Sequence, residues 1–129
     1  MGREVRGVLD TSAVISRGVV DLPDEAAIST VTLAELHFGV QASPTDEERA
    51  MRLRRLAEIE SSLEALPVDG AVARAYGALA HVLASRGRSP RPRAMDILIA
   101  ATSQTHGVPL FTKDQDFEVF SEHIDVRLV

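Results

Sequence analysis

Short apolar runs, too brief to be helices, recur along this chain, and stretches with helical spacing separate most of them. The runs fall at residues 5–9, 27–30, 66–68, 108–111 and 125–129. Helices are expected over about 33–41, 43–63, 71–84 and 93–106. Asp10-Thr11-Ser12 offers a cap before Ala13-Val14-Ile15, and Thr30 or Thr32 caps the helix from 33. Ser43-Pro44-Thr45-Asp46-Glu47 reads as a strong start: a cap, a proline in the first turn, then acids facing the positive end of the helix dipole. Met51, Leu53, Leu56, Ile59 and Leu63 form an apolar stripe on that helix, and Val72, Tyr76, Leu79 and Leu83 form one on the next. Gly18 and Pro23 punctuate a loop, Gly107 is the expected C-cap of the last helix, and Pro67 suits an edge strand. Strand–helix alternation of this kind argues for an α/β domain, with a parallel sheet covered by helices on both faces and right-handed crossovers.

Composition narrows the chemistry. At 129 residues the chain has the length of one domain, so a single domain over 1–129 is expected. No Cys is present, which excludes disulfides, thiolate zinc sites and Cys nucleophiles. Asn is absent too, so there is no glycosylation sequon. No apolar run approaches the roughly 18–20 residues that span a bilayer. The start, Met1-Gly2-Arg3-Glu4-Val5-Arg6, has no apolar signal core, and Arg6 stands where a myristoylation motif takes Ser or Thr. A cytoplasmic address and no membrane partner are therefore expected. The net charge of −5 is wrong for a protein held to nucleic acid by simple phosphate attraction. The placement of the acids matters more than their number.

In open parallel sheets, sites form beyond the carboxyl ends of the strands. Asp10 closes the first strand, Glu35 lies one turn into the helix after the second, and Asp114 and Asp116 follow the fourth. Asp96 stands in the first turn of a helix that is apolar nearly all round: Ala94, Met95, Ile97, Leu98, Ile99, Ala100 and Ala101 surround it. Such a helix is buried, and a buried carboxylate needs a partner. The preceding arginines are one candidate; a cation shared by several carboxylates is the sharper one. Converging carboxylates repel and rise in pKa, and a divalent ion removes that cost. All-oxygen ligation selects Mg²⁺ or Mn²⁺ and would reconcile an acidic protein with a polyanionic substrate. Taken singly, each acid has an ordinary reading: Asp10 a helix cap, Glu35 a solvated helix residue, Asp96 a capping or dipole residue, Asp114 and Asp116 turn residues. Their joint placement is the signal.

The loop at 86–93 carries four arginines and leads into Asp96; Arg88, Arg91 and Arg93 are candidates for RNA phosphates, against a plain solvated loop or contact with an acidic partner. His37, His81, His106 and His123 show no zinc or triad spacing and read as structural or exposed. Ser12 lies outside any nucleophile elbow, so capping or a supporting hydrogen bond suits it. No phosphate-binding glycine loop is present, and aromatics at 4% are too few for a base-stacking platform. Leu36, Phe38, Val40 and the 51–63 stripe read mainly as core. Any surplus apolar surface would form a groove for a partner helix or strand.

At these residues the sequence resembles the PIN-domain ribonucleases, and among them the VapC-type toxins of toxin–antitoxin pairs. The resemblance rests on Val8-Leu9-Asp10-Thr11-Ser12-Ala13, Ser29-Thr30-Val31-Thr32-Leu33-Ala34-Glu35-Leu36, Asp96-Ile97-Leu98-Ile99-Ala100-Ala101-Thr102 and Leu110-Phe111-Thr112-Lys113-Asp114-Gln115-Asp116-Phe117, in the family's order over essentially the whole chain. It implies a five-stranded parallel sheet in the order 3-2-1-4-5 and Mg²⁺- or Mn²⁺-dependent cleavage of RNA. It also implies an antitoxin partner and a homodimer. The implied catalytic acids are Asp10, Glu35, Asp96 and Asp114, with Asp116 a further acid at the metal and Thr11 and Thr112 supporting hydroxyls. The expected function is a metal-dependent endoribonuclease with water as nucleophile. Metals held by Asp10, Asp96 and Asp114 would bind the scissile phosphate, while Glu35 would orient or deprotonate the water. Two rivals stand beside it. One is a Mg²⁺ phosphatase with Asp10 as nucleophile, which lacks the usual second Asp because position 12 is Ser. The other is a non-catalytic RNA- or protein-binding module.

Overall fold

Five strands of three or four residues run parallel: β1 (Gly7–Leu9), β2 (Ala26–Ser29), β3 (Glu64–Leu66), β4 (Leu110–Thr112) and β5 (Val126–Leu128). Their order across the sheet is β3-β2-β1-β4-β5, as the resemblance implied. The computed structural model describes residues 5–16 and 24–129; the expected loop breakers Gly18 and Pro23, and the start at Met1 to Glu4, lie outside them. Side chains alternate across a strand, and here that alternation sorts the apolar residues into two cores. Val8, Ala27, Leu66 and Leu110 point to one face; Leu9, Ile28 and Phe111 point to the other.

Helices close both faces. The first core is completed by α4 (Gly70–Ser85) through Val72, Leu79 and Leu83, by α5 (Ala94–His106) through Ile97, Ile99, Ala100 and Ala101, and by Phe117 and Phe120 of a 3₁₀ segment, Gln115–Phe120. The second core takes Ala13 and Val14 of α1 (Thr11–Ile15) and Ile59 of α3 (Asp46–Ser62). Between them α2 (Thr30–Gln41) gives Val31 to the first core and Leu33 and Leu36 to the rim of the second. Among the described residues no helix is long and apolar enough to cross a membrane.

Three local expectations are corrected. The α2 helix begins at Thr30, not at 33, because Ser29 is the cap: its Oγ accepts the Val31 amide at 3.0 Å, and Thr32 is fully buried. Thr45 rather than Ser43 caps α3, accepting the Glu48 amide at 3.1 Å, while the buried Ser43 hydroxyl donates back to the Gly39 carbonyl of α2. The third strand is 64–66, not 66–68, since its register is set by pairing Ala27 with Glu64 and Ser29 with Leu66; Pro67 follows this edge strand. Gly107 does end α5, at φ 65°, in the left-handed region open to glycine.

Candidate active site

The chain leaves β1 toward β2 on one side, and β4 lies on the other, so the sheet's order reverses between β1 and β4. Ligands of open α/β sheets bind at such a switch point. Asp10 and Asp114 stand there, just past the ends of these two strands. The two acids share one hydroxyl. Thr112 Oγ1 donates to Asp10 Oδ2 at 2.6 Å and accepts the Asp114 amide at 2.9 Å. Asp10 Oδ1 in turn accepts the Ala13 amide at 2.9 Å and the Ser12 hydroxyl at 2.7 Å. Ser12 Oγ accepts the Lys113 amide at 3.0 Å, tying α1 to the segment after β4 a second time. Asp10 is therefore the α1 cap that its position suggested and also a buried, 4%-exposed carboxylate at the switch point. Asp114 likewise caps the 3₁₀ segment, accepting the Asp116 amide at 2.9 Å. The ordinary readings and the functional one describe the same atoms, because capping is what fixes these carboxylates.

Glu35 joins from α2. The Thr11 hydroxyl donates to its Oε1 at 2.6 Å and lies 3.3 Å from the Thr32 hydroxyl. Thr11 thus supports Glu35, whereas Thr112 supports Asp10 and Asp114. Asp96 is partly buried in the first turn of α5, and its pKa is raised. Burial is the main cause, opposed by the Arg93 guanidinium and reinforced by the charges of Asp114 and Asp10. Those three acids feel one another across the switch point. Their donor set is all carboxylate oxygen, which suits a hard ion such as Mg²⁺ or Mn²⁺, and the mutual repulsion at Asp96 is what such an ion relieves. Among the described residues, no three His, Asp or Glu side chains stand close enough together to hold a metal ion in this arrangement.

Arg93 occupies part of that space. Its Nε and Nη2 meet Asp96 Oδ2 at 3.1 and 3.0 Å, and its Nη1 meets Asp116 Oδ2 at 3.0 Å. Asp116 is 61% exposed at its side chain and directed to Arg93. Of the basic loop, Arg91 and Arg93 form a 3₁₀ turn, Arg91–Arg93, that runs into α5; Arg88 and Arg91 are exposed. The four histidines are exposed; His37 sits 3.6 Å from Glu60. A cavity of about 480 Å³ opens beside Glu35 between α1, α2 and α3, lined by Ile15, Leu36, Met51, Arg55, Leu56 and Ile59 among others. Ile15, Met51, Leu53 and Phe38 are all half or more exposed around it or nearby on these helices, so the apolar surplus suggested by the stripe exists. Ser12 takes the supporting hydrogen-bond role expected of it, whereas Thr32, expected as a cap, lies buried beside the Thr11 hydroxyl. The signal for both was their place in Asp10-Thr11-Ser12 and four residues along the chain from Ile28, where hydroxyls follow strand ends.

Residues 8–122 match the PIN domain family. Ribonuclease VapC5 of Mycobacterium tuberculosis is 40% identical over 129 residues, covering 95% of this chain and 93% of the relative, and Ribonuclease VapC4 of the same organism is 34% identical over 118 residues. The VapBC-5 toxin–antitoxin structure from M. tuberculosis superposes with a TM-score of 0.84 at 38% identity, covering 97% of this chain and 98% of that one. FitAcB from Neisseria gonorrhoeae superposes with a TM-score of 0.76 at 26% identity, over 93% and 95% of the two chains. The chain belongs to the PIN-domain family, in its VapC branch.

Proposed function

We propose that this chain is a divalent-metal-dependent endoribonuclease, the toxin of a VapBC-type pair, acting in the cytoplasm. The observation that carries the reading is the Thr112 bridge, which fixes Asp10 and Asp114 together at the switch point within electrostatic reach of Asp96. Asp10, Asp96 and Asp114 would hold Mg²⁺ or Mn²⁺, with Asp116 at the margin of the site. Such an ion supplies a polarised phosphodiester and charge stabilisation of the leaving oxygen. The chain's own groups do the rest. Glu35, held through one oxygen by Thr11, orients a water and takes its proton as the water oxygen attacks phosphorus. The phosphorus–oxygen bond to the departing ribose then breaks. Arg88 and Arg91, exposed on the loop that leads into α5, would hold phosphates of the RNA strand. The phosphatase reading lacks its second Asp two residues on from Asp10: Ser12 stands there and donates to Asp10 Oδ1 instead.

The solved VapBC-5 relative is a toxin–antitoxin system, and we assign this chain a cognate antitoxin as its partner. The largely apolar cavity lined by Glu35 offers such a partner a place to dock; a second copy of the chain is the other expected partner. The test is cleavage of a mixed structured RNA pool in Mg²⁺ and in EDTA. Wild type should cleave only with the ion. Asp10→Asn should fold and lose on the order of a hundredfold or more in rate. Glu35→Gln should lose comparable rate but retain Mn²⁺ better. An Asp10→Asn variant as fast as wild type sinks the nuclease reading, and a wild type with no RNA cleavage in Mg²⁺ returns the chain to a binding module.

A further inference from the structure

Arg93 is the one cation in direct contact with Asp96 among the described residues, and the contact is well made. Two nitrogens of its guanidinium reach a single oxygen, Asp96 Oδ2, at 3.1 and 3.0 Å, and a third reaches Asp116 Oδ2 at 3.0 Å. The Arg93 side chain is only 21% exposed, so the pair is better shielded than the other ion pairs on this surface. Its backbone is also fixed, on the 3₁₀ turn that enters α5, so guanidinium and carboxylate meet across the first helical turn. Asp96 would otherwise face only Asp114 and Asp10, both of which oppose its charge. A guanidinium fork is rigid and cannot be neutralised, and charge-assisted pairs of this geometry are the strong ones.

We propose that Arg93 is the resident counter-ion of the acid cluster, and that a divalent ion binds by displacing its guanidinium from Asp96. The inference rests on the metal reading of the site. Two guanidinium nitrogens already take the lone pairs of Asp96 Oδ2, so an ion that engages this oxygen has to displace them. The contact to Asp116 needs no such release. Asp116 is therefore a tether that keeps the displaced fork at the edge of the site, where a phosphate would meet it. Arg93 is a positioning residue that sets how readily the ion enters, and one charge serves the acids at rest and the substrate afterwards.

The experiment is a calorimetric Mn²⁺ titration of stripped protein, without RNA and at fixed ionic strength, on wild type, Arg93→Met and Arg93→Lys. Arg93→Met should bind Mn²⁺ about tenfold tighter than wild type, since no charge-assisted pair has to be broken. Arg93→Lys keeps the charge but loses the fork, and should also bind tighter, by less. In wild type, the Arg93 Nε–H resonance should move on adding Mg²⁺; this measurement and the Lys variant carry the test should the Met variant fold poorly. Equal or weaker Mn²⁺ binding by Arg93→Met overturns the proposal. So does tighter binding by Met with Lys equal to wild type, which marks a field effect without displacement. Absence of Mn²⁺ binding by all three at millimolar concentration removes the metal reading itself, and the displacement with it.

Discussion

The Thr112 hydroxyl donates its only hydrogen to Asp10 and takes the Asp114 amide on its oxygen, in a residue with no exposed surface. Replacing it with the isosteric Val leaves a buried carboxylate oxygen and an amide without that partner. Urea unfolding should show Thr112→Val destabilised by about 1–3 kcal/mol, with Thr112→Ser close to wild type. RNA cleavage should fall in Val and persist in Ser; a Val variant as stable as wild type would show that water replaces the hydroxyl. The acids themselves were legible from the sequence because each follows a strand or opens a helix, and those positions point one way in a parallel sheet. Their pairings were less so. An arginine three residues before Asp96 is a visible candidate partner beside a shared cation, and the structure shows that pair made, with Arg93 partly buried against Asp96. Nothing along the chain could place Asp116 against Arg93, 23 residues away.

At the scale of elements, caps and registers explain where reading along the chain succeeds. Gly107, the 71–84 stripe and the apolar helix around Asp96 are local signals, and α4 and α5 follow them within a residue or so. The start of α3 holds two local candidates, and tertiary contact chooses between them: Ser43 turns back to α2, so Thr45 caps. Thr45→Ala should therefore cost about 0.5–2 kcal/mol of stability, the range for losing a cap. Ser43→Ala should leave α3 intact by helical circular dichroism. A larger loss in Ser43→Ala than in Thr45→Ala would reverse the assignment. The shift of β3 has the same origin. Val68 is the better strand former, but it is 40% exposed, and pairing with β2 selects Glu64 to Leu66 instead. Long-range pairing outweighs local propensity when the strand has only three residues.

For the whole molecule, the acid cluster links stability to pH. Burial raises the Asp96 pKa above its ordinary 3.8. A carboxyl raised on folding binds its proton more tightly in the folded state, so its contribution favours folding below the unfolded pKa and is lost as pH rises through the folded one. Asn has no such dependence. In EDTA, Asp96→Asn should melt above wild type at neutral pH, and the gap should close as pH falls through the raised Asp96 pKa. Melting curves from neutral pH down to about pH 3 check this; a gap that widens on acidification contradicts it.

The hydroxyl bridge between Asp10 and Asp114 also bears on how such a molecule can be silenced. Both carboxylates are held within two residues of paired central strands, and Ser12 and Thr112 lock the segments together. An inhibitor has little purchase for bending this frame short of opening the sheet. On the proposed nuclease reading, occupation is the simpler route, with a segment standing where the phosphate would lie. An occupant of that kind leaves the catalytic frame assembled, so its removal restores activity at the rate of dissociation, with no refolding step in between.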